Sequence, residues 1–91
     1  MITAIVFVKA ETARIPEVAE AIASLDGVSE VYSVTGRIDL IVMIRVRSHD
    51  DIAAVVADRL NKVDGVRETV THIAFRAYSR HDLEAAFAIG D

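Results

Sequence analysis

Apolar residues recur along this chain in two stretches of the same layout, 38 positions apart. The apolar run Ile2–Val8 returns as Leu40–Val46, and Leu25–Val31 returns as Val63–Thr69, with an Asp-Gly pair at the same place in each copy. A repeat of this size is a signal about the whole fold. The unit is strand, helix, Asp-Gly turn, strand, and its two copies predict a βαββαβ domain whose halves are related by an approximate two-fold axis.

The first copy predicts a strand, an amphipathic helix and a second strand. Ile2–Lys9 alternates in the manner of a strand that is apolar on both faces. Pro16 suits the first turn of a helix, and the second strand is predicted over Val28–Thr35 after the first Asp-Gly pair. The apolar positions of the helix have helical spacing, namely Ile15, Val18, Ala19, Ile22 and Leu25.

The second copy follows a tight turn at Gly36–Ile38 and begins with a third strand over Asp39–Arg47. Ser48–Asp51 has the form of a capping box and opens the second helix. The last strand is predicted over Val66–Tyr78, after the second Asp-Gly pair. The inward positions of the second helix are Ile52, Val55, Val56, Leu60 and Val63.

A second capping box at Ser79–Asp82 predicts a short C-terminal helix with Leu83, Ala86 and Phe87 on its apolar side. No linker or low-complexity segment divides the chain, so residues 1–91 are predicted to form one domain. The predicted fold class is α+β, a ferredoxin-like βαββαβ sandwich with a short C-terminal helix.

The third strand is apolar on both of its faces. Alternate residues from Leu40 to Val46 point one way, and Ile41 and Met43 point the other. The two helices cover one face of the sheet. Strands that are apolar on both faces are usually buried on both faces. The second face of the sheet is therefore predicted to pack on the sheet of another copy, which makes the protein at least a dimer.

Composition limits the class of protein. The chain has 91 residues, 53% of them hydrophobic, more apolar surface than one small domain can bury. Cysteine is absent, which excludes disulfides and thiolate metal sites. No apolar run reaches the roughly 18 residues of a membrane span, and the net charge of −4 argues against a nucleic-acid surface. We expect a cytoplasmic protein that binds neither membranes nor nucleic acid directly.

The sequence gives little support for a catalytic, metal or cofactor site. The three histidines lack the spacing of a metal site, and the glycines form neither a dinucleotide-binding nor a phosphate-binding loop. His49 and His81 lie in the predicted helix caps, whereas His72 lies in a strand, where an acid, a base and a core residue are all open interpretations. We expect no enzyme activity, no metal and no cofactor.

The turn between the second and third strands carries the most suggestive polar residues. A hairpin requires glycine where φ is positive, which accounts for Gly36. Asp39 opens an otherwise apolar strand, either as a cap for backbone amides or as a carboxylate for the ammonium group of a ligand. Thr69 and Thr71 are equally open: threonine suits strands, yet these two place hydroxyls on one face of the last strand.

Two segments resemble the Lrp/AsnC (feast/famine) transcriptional regulators. Val31–Leu40 is similar to the V-Y-x-V-T/S-G-x-x-D hairpin of that family, and Leu60–Thr71 to its L-x-x-x-x-G-V-x-x-T-x-T segment. The resemblance implies the effector-binding RAM domain, a βαββαβ unit that binds amino acids between dimers associated into octamers or related rings. The winged helix-turn-helix of full-length members has no counterpart here, so the chain resembles the stand-alone RAM proteins, and DNA binding is not carried over.

The resemblance also implies an effector pocket built from two subunits. Thr69 and Thr71 of a neighbouring subunit would line one side, and the other side would be lined by the hairpin residues Tyr32, Thr35, Gly36, Arg37 and Asp39. The implied function is a non-enzymatic amino-acid-binding oligomer, an octamer or decamer ring. It would modulate transcription or amino-acid metabolism through a partner such as a full-length Lrp/AsnC regulator.

Two alternatives share this topology. One is a small dimeric α/β-barrel enzyme, monooxygenase-like, that would use His72 or Tyr78 facing a cavity within the barrel. The other is an ACT-type regulatory domain, which pairs its sheets side by side instead of stacking them. Two observations would distinguish these alternatives: which face of the sheet is covered, and whether a closed cavity lies beside His72.

Overall fold

The computed structural model of the chain describes residues 1–80 and contains the predicted order of strands and helices. The strands are β1 (Ile2–Ala10), β2 (Val28–Ser33), β3 (Leu40–Val46) and β4 (Val66–Ile73). The first helix is α1 (Ile15–Ala23), preceded by a 3-10 turn at Thr12–Arg14. What we call the second helix is α2 (His49–Ala53) with its continuation, a π-helical turn (Ala54–Arg59) and a 3-10 turn (Leu60–Lys62).

The four strands form one antiparallel sheet in the order β2-β3-β1-β4. The central strands β1 and β3 pair from Ile2 opposite Val46 to Val8 opposite Leu40. The two helices pack on one face of the sheet and share a single core with it. This arrangement is the predicted ferredoxin-like α+β fold.

Alternate residues of the two central strands form the floor of the core. Val6, Val8, Leu40, Val42 and Ile44 are fully buried, and each such side chain contributes about 1.5–3 kcal/mol relative to an exposed one. The helices close over this floor with the inward positions that their periodicity predicts, namely Val18, Ile22, Ile52, Val55 and Leu60.

The two Asp-Gly turns fasten the halves of the molecule to each other. Gly27 and Gly65 have φ values of 93° and 98°, in the region that favours glycine. A Cβ at Gly27 would lie 2.6 Å from Cγ2 of Val55 in the second helix, and a Cβ at Gly65 would lie 2.6 Å from Cγ2 of Val18 in α1. Each turn therefore ends its own helix and packs closely against the helix of the other half.

The last strand is shorter than the sequence predicts. β4 ends at Ile73, which pairs with Ala4, and the Ala74 amide makes one further hydrogen bond to the Thr3 carbonyl. Because β4 is an edge strand and β1 begins at Ile2, no partner extends far enough to continue the ladder towards Tyr78. The predicted C-terminal helix with Leu83, Ala86 and Phe87 lies outside the described residues.

The face of the sheet away from the helices is apolar at its centre and half-exposed. Its central side chains are Ile5, Phe7, Ile41, Met43 and Val70. His72 is exposed beside them, its ring centroid 5.0 Å from that of Phe7 with an interplanar angle of 59°. That a second copy covers this face remains a prediction. Within residues 1–80, no helix is long and apolar enough to cross a bilayer.

Candidate functional site

The connection between β2 and β3 is an exposed hairpin turn held by backbone hydrogen bonds. The Val34 amide donates to the Asp39 carbonyl at 3.1 Å. Gly36 has a φ of 107°, and a Cβ there would meet no atom within 4 Å, so this turn needs glycine for its backbone conformation and borders open space. Thr35 and Arg37 on either side are exposed. The turn is therefore accessible to a ligand.

Asp39 joins this turn to the end of β1. Its backbone amide donates to the Val8 carbonyl at 3.0 Å, and its Oδ2 accepts from the Ala10 amide at 2.9 Å. The last β1–β3 pair is Val8 with Leu40, so Ala10 has no strand partner on that side and the carboxylate replaces it. Asp39 thus caps a backbone amide, as one interpretation expects, although the amide belongs to β1 and not to the turn itself.

The second carboxylate oxygen of Asp39 remains available. Within residues 1–80, Oδ1 has no hydrogen-bond partner, and the residue is half-buried at the edge of a cleft. A carboxylate can accept several hydrogen bonds, so the capping role leaves capacity for an ammonium group. The two interpretations of Asp39 are therefore compatible.

An open cleft of about 520 Å³ lies beside Asp39. It brings together two of the predicted site residues, Arg37 and Asp39. The remaining lining residues, which the sequence did not single out, are Lys9, Ala10, Thr12, Arg67 and Glu68. The cleft has cationic and anionic groups side by side, as recognition of a zwitterion requires.

A β-bulge accounts for two of these unpredicted residues. Lys9 pairs with Glu68, but the next residue, Ala10, pairs with Val66, which leaves Arg67 as the extra residue. A bulge interrupts the alternation of side chains and can redirect one of them. Arg67 and Glu68, although consecutive, consequently line the same cleft. Among the lining residues that were not predicted, Lys9 had a signal in the sequence, because it is a charge at the end of an apolar strand.

Tyr32 lies away from this cleft, on the exposed sheet face. Its hydroxyl donates to Oε2 of Glu30, and Arg45 Nη1 donates to Oε1 of the same carboxylate at 3.0 Å and to Ser29 Oγ at 2.6 Å. The hydrogen bond from Tyr32, followed by that from Arg45, lowers the pKa of Glu30 below its ordinary value. The bond to Glu30 in turn raises the pKa of Tyr32. Tyr32 is already engaged within its own chain.

Thr69 and Thr71 lie on the opposite edge of the sheet. They belong to β4, whereas Tyr32 belongs to β2, and two strands separate these edges. Thr69 donates its hydroxyl to Asn61 Oδ1 at 2.7 Å, and Thr71 is exposed. A single chain therefore does not bring the threonines and Tyr32 together, and their meeting across subunits stays a prediction.

A second open cleft, of about 450 Å³, lies on the exposed sheet face below the segment that follows β4. Its lining includes Ile5, Met43, Arg45 and Phe75. His72 and Tyr78 line neither cleft, and both are exposed. In the part of the chain that the structure describes, no three histidine or carboxylate side chains are grouped closely enough to hold a metal ion.

Comparison with known sequences confirms the family resemblance. The sequence model of the family described as Lrp/AsnC ligand binding domain matches residues 3–83. The uncharacterized HTH-type transcriptional regulator YugG of Bacillus subtilis is 39% identical over 93 aligned residues, which cover 99% of this chain and 55% of that protein. The chain spans about half the length, or less, of the curated regulators it matches.

Comparison with solved structures confirms the fold. TTHA0845 from Thermus thermophilus superposes with a TM-score of 0.82 at 42% identity, covering 88% of this chain and 100% of that one. The Neisseria meningitidis transcriptional regulator NMB0573, in complex with L-methionine, superposes with a TM-score of 0.77, covering 87% of this chain and 53% of that one. Its identity to this chain is 17%, so that likeness concerns the fold alone.

Proposed function

This chain belongs to the Lrp/AsnC ligand-binding domain family, and from that membership we propose that it is a non-enzymatic regulatory domain that binds an amino acid. It works as an oligomer of dimers, an octamer or decamer ring, in the cytoplasm. It modulates transcription or amino-acid metabolism through a partner such as a full-length Lrp/AsnC regulator, and it does not bind DNA by itself.

The observation that carries this proposal is the position of Asp39. Its Oδ1 is free of hydrogen bonds within residues 1–80, and it shares the cleft with Arg37. An α-amino acid presents an ammonium and a carboxylate a few ångströms apart, and charge-assisted hydrogen bonds to both are the strongest that a small polar ligand can make. Asp39 would receive the ammonium, and a cation of the cleft would receive the carboxylate.

Exposed residues of the last strand and of the hairpin turn extend the proposal to a second subunit. Thr71 is exposed on one sheet edge, and Thr35 and Gly36 are exposed at the turn. In an oligomer, Thr69 and Thr71 of one copy complete the pocket against Tyr32 and the turn of another. The apolar centre of the exposed sheet face gives the copies a surface on which to associate.

One curated relative supports a regulatory role over catalysis, and one fold neighbour gives an example of an amino-acid ligand. YugG is described as a transcriptional regulator, and the fold neighbour NMB0573 is a transcriptional regulator whose structure holds L-methionine. The barrel-enzyme alternative requires a cavity beside His72, which lies exposed against Phe7. The ligand of that neighbour is an amino acid, and the paired charges of the cleft suit the ammonium and carboxylate that all amino acids carry.

A thermal-shift screen of the twenty amino acids tests the function first. A ligand that binds only the native state raises Tm by mass action. Titration calorimetry with the best amino acid then compares the wild type with Asp39→Asn. The amide oxygen of asparagine still accepts from the Ala10 amide, so the fold is retained while the negative charge is lost. Affinity should fall by about 1.5–3 kcal/mol, the magnitude of a hydrogen bond to a charged group.

Asp58→Asn is the matched control, because Asp58 is an exposed carboxylate on the second helix and lies outside the cleft. Its affinity should equal that of the wild type. If Asp39→Asn and the wild type bind the amino acid with equal affinity, the ligand site does not include Asp39. A light-scattering mass equal to one chain at micromolar concentration would contradict the proposed oligomer. A salt-dependent affinity for duplex DNA would contradict the proposal that the protein does not bind DNA by itself.

A further inference from the structure

The cleft beside Asp39 has the opposite charge balance to the whole chain. The chain carries a net charge of −4. The cleft is lined by three cationic side chains, Lys9, Arg37 and Arg67, and by two carboxylates, Asp39 and Glu68. An excess of positive charge is therefore concentrated at the one place where the proposed ligand binds.

In the described part of the chain, none of the three cations takes part in an ion pair. Within residues 1–80, the pairs with an N to O distance of 4 Å or less are Arg14–Asp64 and Arg45–Glu30, and neither involves the cleft. Lys9, Arg37 and Arg67 are all exposed. Arg67 is also the extra residue of the bulge that brings it to this cleft beside Glu68. Their charges remain free to meet an anionic ligand.

The lining offers almost no apolar surface. Among the described residues that line it, Ala10 is the only apolar one, and it is itself buried, with 5% of its surface exposed. Binding a leucine or methionine side chain derives its free energy mainly from removing apolar area from water, which requires apolar surface on the protein. Arginine, by contrast, presents a planar fork that matches a carboxylate with two parallel hydrogen bonds.

We propose that the ligand of this cleft is an acidic amino acid, aspartate or glutamate; this rests on the proposed function and specifies its ligand. Such a ligand carries two carboxylates and one ammonium. Its two negative charges match the cationic side chains, and its ammonium matches the free Oδ1 of Asp39. The net charge of −1 on the ligand complements the single excess positive charge of the lining.

Titration calorimetry with L-glutamate, L-aspartate, L-glutamine, L-asparagine, L-leucine and L-methionine tests the specificity. We expect at least one of the two acidic amino acids to bind roughly tenfold or more tightly than its own amide, because the amide lacks one charge-assisted carboxylate contact. In Arg67→Gln and Arg37→Gln, the affinity for the acidic ligand should fall by a similar factor. The affinity for the corresponding amide should change by less than about threefold in at least one of the two variants.

Arg47→Gln is the control variant. Arg47 is exposed, lies outside the cleft and occupies the position equivalent to Lys9 in the repeat, so its loss changes the net charge equally. It should leave all affinities unchanged. Circular dichroism of each variant verifies that the fold is retained.

The outcomes separate this inference from the proposed function. Tighter binding of leucine or methionine than of both acidic amino acids overturns the inference and leaves the proposed function standing. Acidic-ligand affinities that are unaffected by both arginine variants overturn the assignment to this cleft. Succinate has the two carboxylates of aspartate but no ammonium group. If succinate binds as tightly as aspartate, the ligand need not be an amino acid and the inference is overturned. Absence of binding by all twenty amino acids overturns both proposals.

Discussion

The two copies of the repeat have the same frame but different polar chemistry. Ser29 and Arg67 are equivalent positions, and each lies in a β-bulge immediately after the first valine of its strand. The glutamates that follow differ. Glu30 is bonded by Tyr32 and Arg45, whereas Glu68 has no ion pair within residues 1–80 and lines the cleft beside Asp39. The repeat builds the fold, and the positions where the copies differ build the candidate site.

The pairing register explains how equivalent residues reach different places. Glu30 lies opposite Met43, whose equivalent in the first copy is Ile5, yet Glu68 lies opposite Lys9. Compared with the pairing of β2 on β3, the pairing of β4 on β1 is therefore shifted by four residues. This shift carries the bulge and Glu68 to the end of the sheet where the hairpin turn begins.

The largest expected effect tests the Asp-Gly turns that both copies of the repeat share. Gly27→Ala and Gly65→Ala each place a Cβ 2.6 Å from a valine methyl at a positive φ. Strain and overpacking together should lower the free energy of unfolding by about 2–5 kcal/mol in each case. Gly36→Ala, which meets no atom within 4 Å, should cost about 1–3 kcal/mol from strain alone. Urea unfolding at one protein concentration measures all three, and an equal cost at Gly36 would contradict the packing argument.

The second effect tests the strand cap at the candidate site. Asp39→Ala removes the acceptor of the Ala10 amide, and an unsatisfied, partly buried donor costs about 1–3 kcal/mol. Asp39→Asn keeps an acceptor oxygen and should cost less than about 1 kcal/mol. Urea midpoints of the two variants, measured together, distinguish the hydrogen bond from the charge. If alanine and asparagine cost the same, the bond to Ala10 does not stabilise the fold.

A smaller effect concerns how the two helices begin. The Ser48 hydroxyl accepts from the Asp51 amide at 3.2 Å, whereas α1 begins at Ile15, has Pro16 in its first turn and has no side-chain cap. Ser48→Ala should lower the free energy of unfolding by about 1 kcal/mol, the usual value for an N-cap serine. Ser33→Ala is an exposed control at a strand end and should be close to neutral. Thermal unfolding of the two variants checks the difference, and equal Tm values would show that the cap is dispensable.

The smallest effect concerns acid stability and separates the two glutamates. The hydrogen bonds from Tyr32 and Arg45 lower the pKa of Glu30 below its ordinary value of 4.5. The unfolded chain therefore binds this proton more readily, so the added stability is present above pH 4.5 and is lost as pH falls through the folded-state pKa. Glu30→Gln should reduce the loss of stability below about pH 4.5, and Tyr32→Phe should reduce it partly. Urea unfolding between about pH 3 and 7 tests this, with Glu68→Gln as the control for removing a carboxylate. An unchanged profile in Glu30→Gln would contradict it.

The elements were predictable because each depends on neighbours in the sequence. Periodicity placed Val18 and Ile22 inward in α1, and Ser48 and Pro16 marked helix starts, as the structure confirms. The end of β4 was predicted five residues late, because the length of an edge strand depends on its partner, β1. Of the predicted site residues, Arg37 and Asp39 line the cleft, and the roles of all seven as ligand contacts remain predictions.

The sequence by itself determined the repeat, the faces of each strand and the glycine turns, since alternation and backbone conformation are local properties. It did not determine the register, because a shift of two or four residues leaves every side chain on its own face and is invisible to a pattern of period two. The tertiary structure decided that register. The bulge at Arg67 and the four-residue shift place Arg67 and Glu68 beside Lys9, Arg37 and Asp39. These residues come from three segments that lie far apart along the chain.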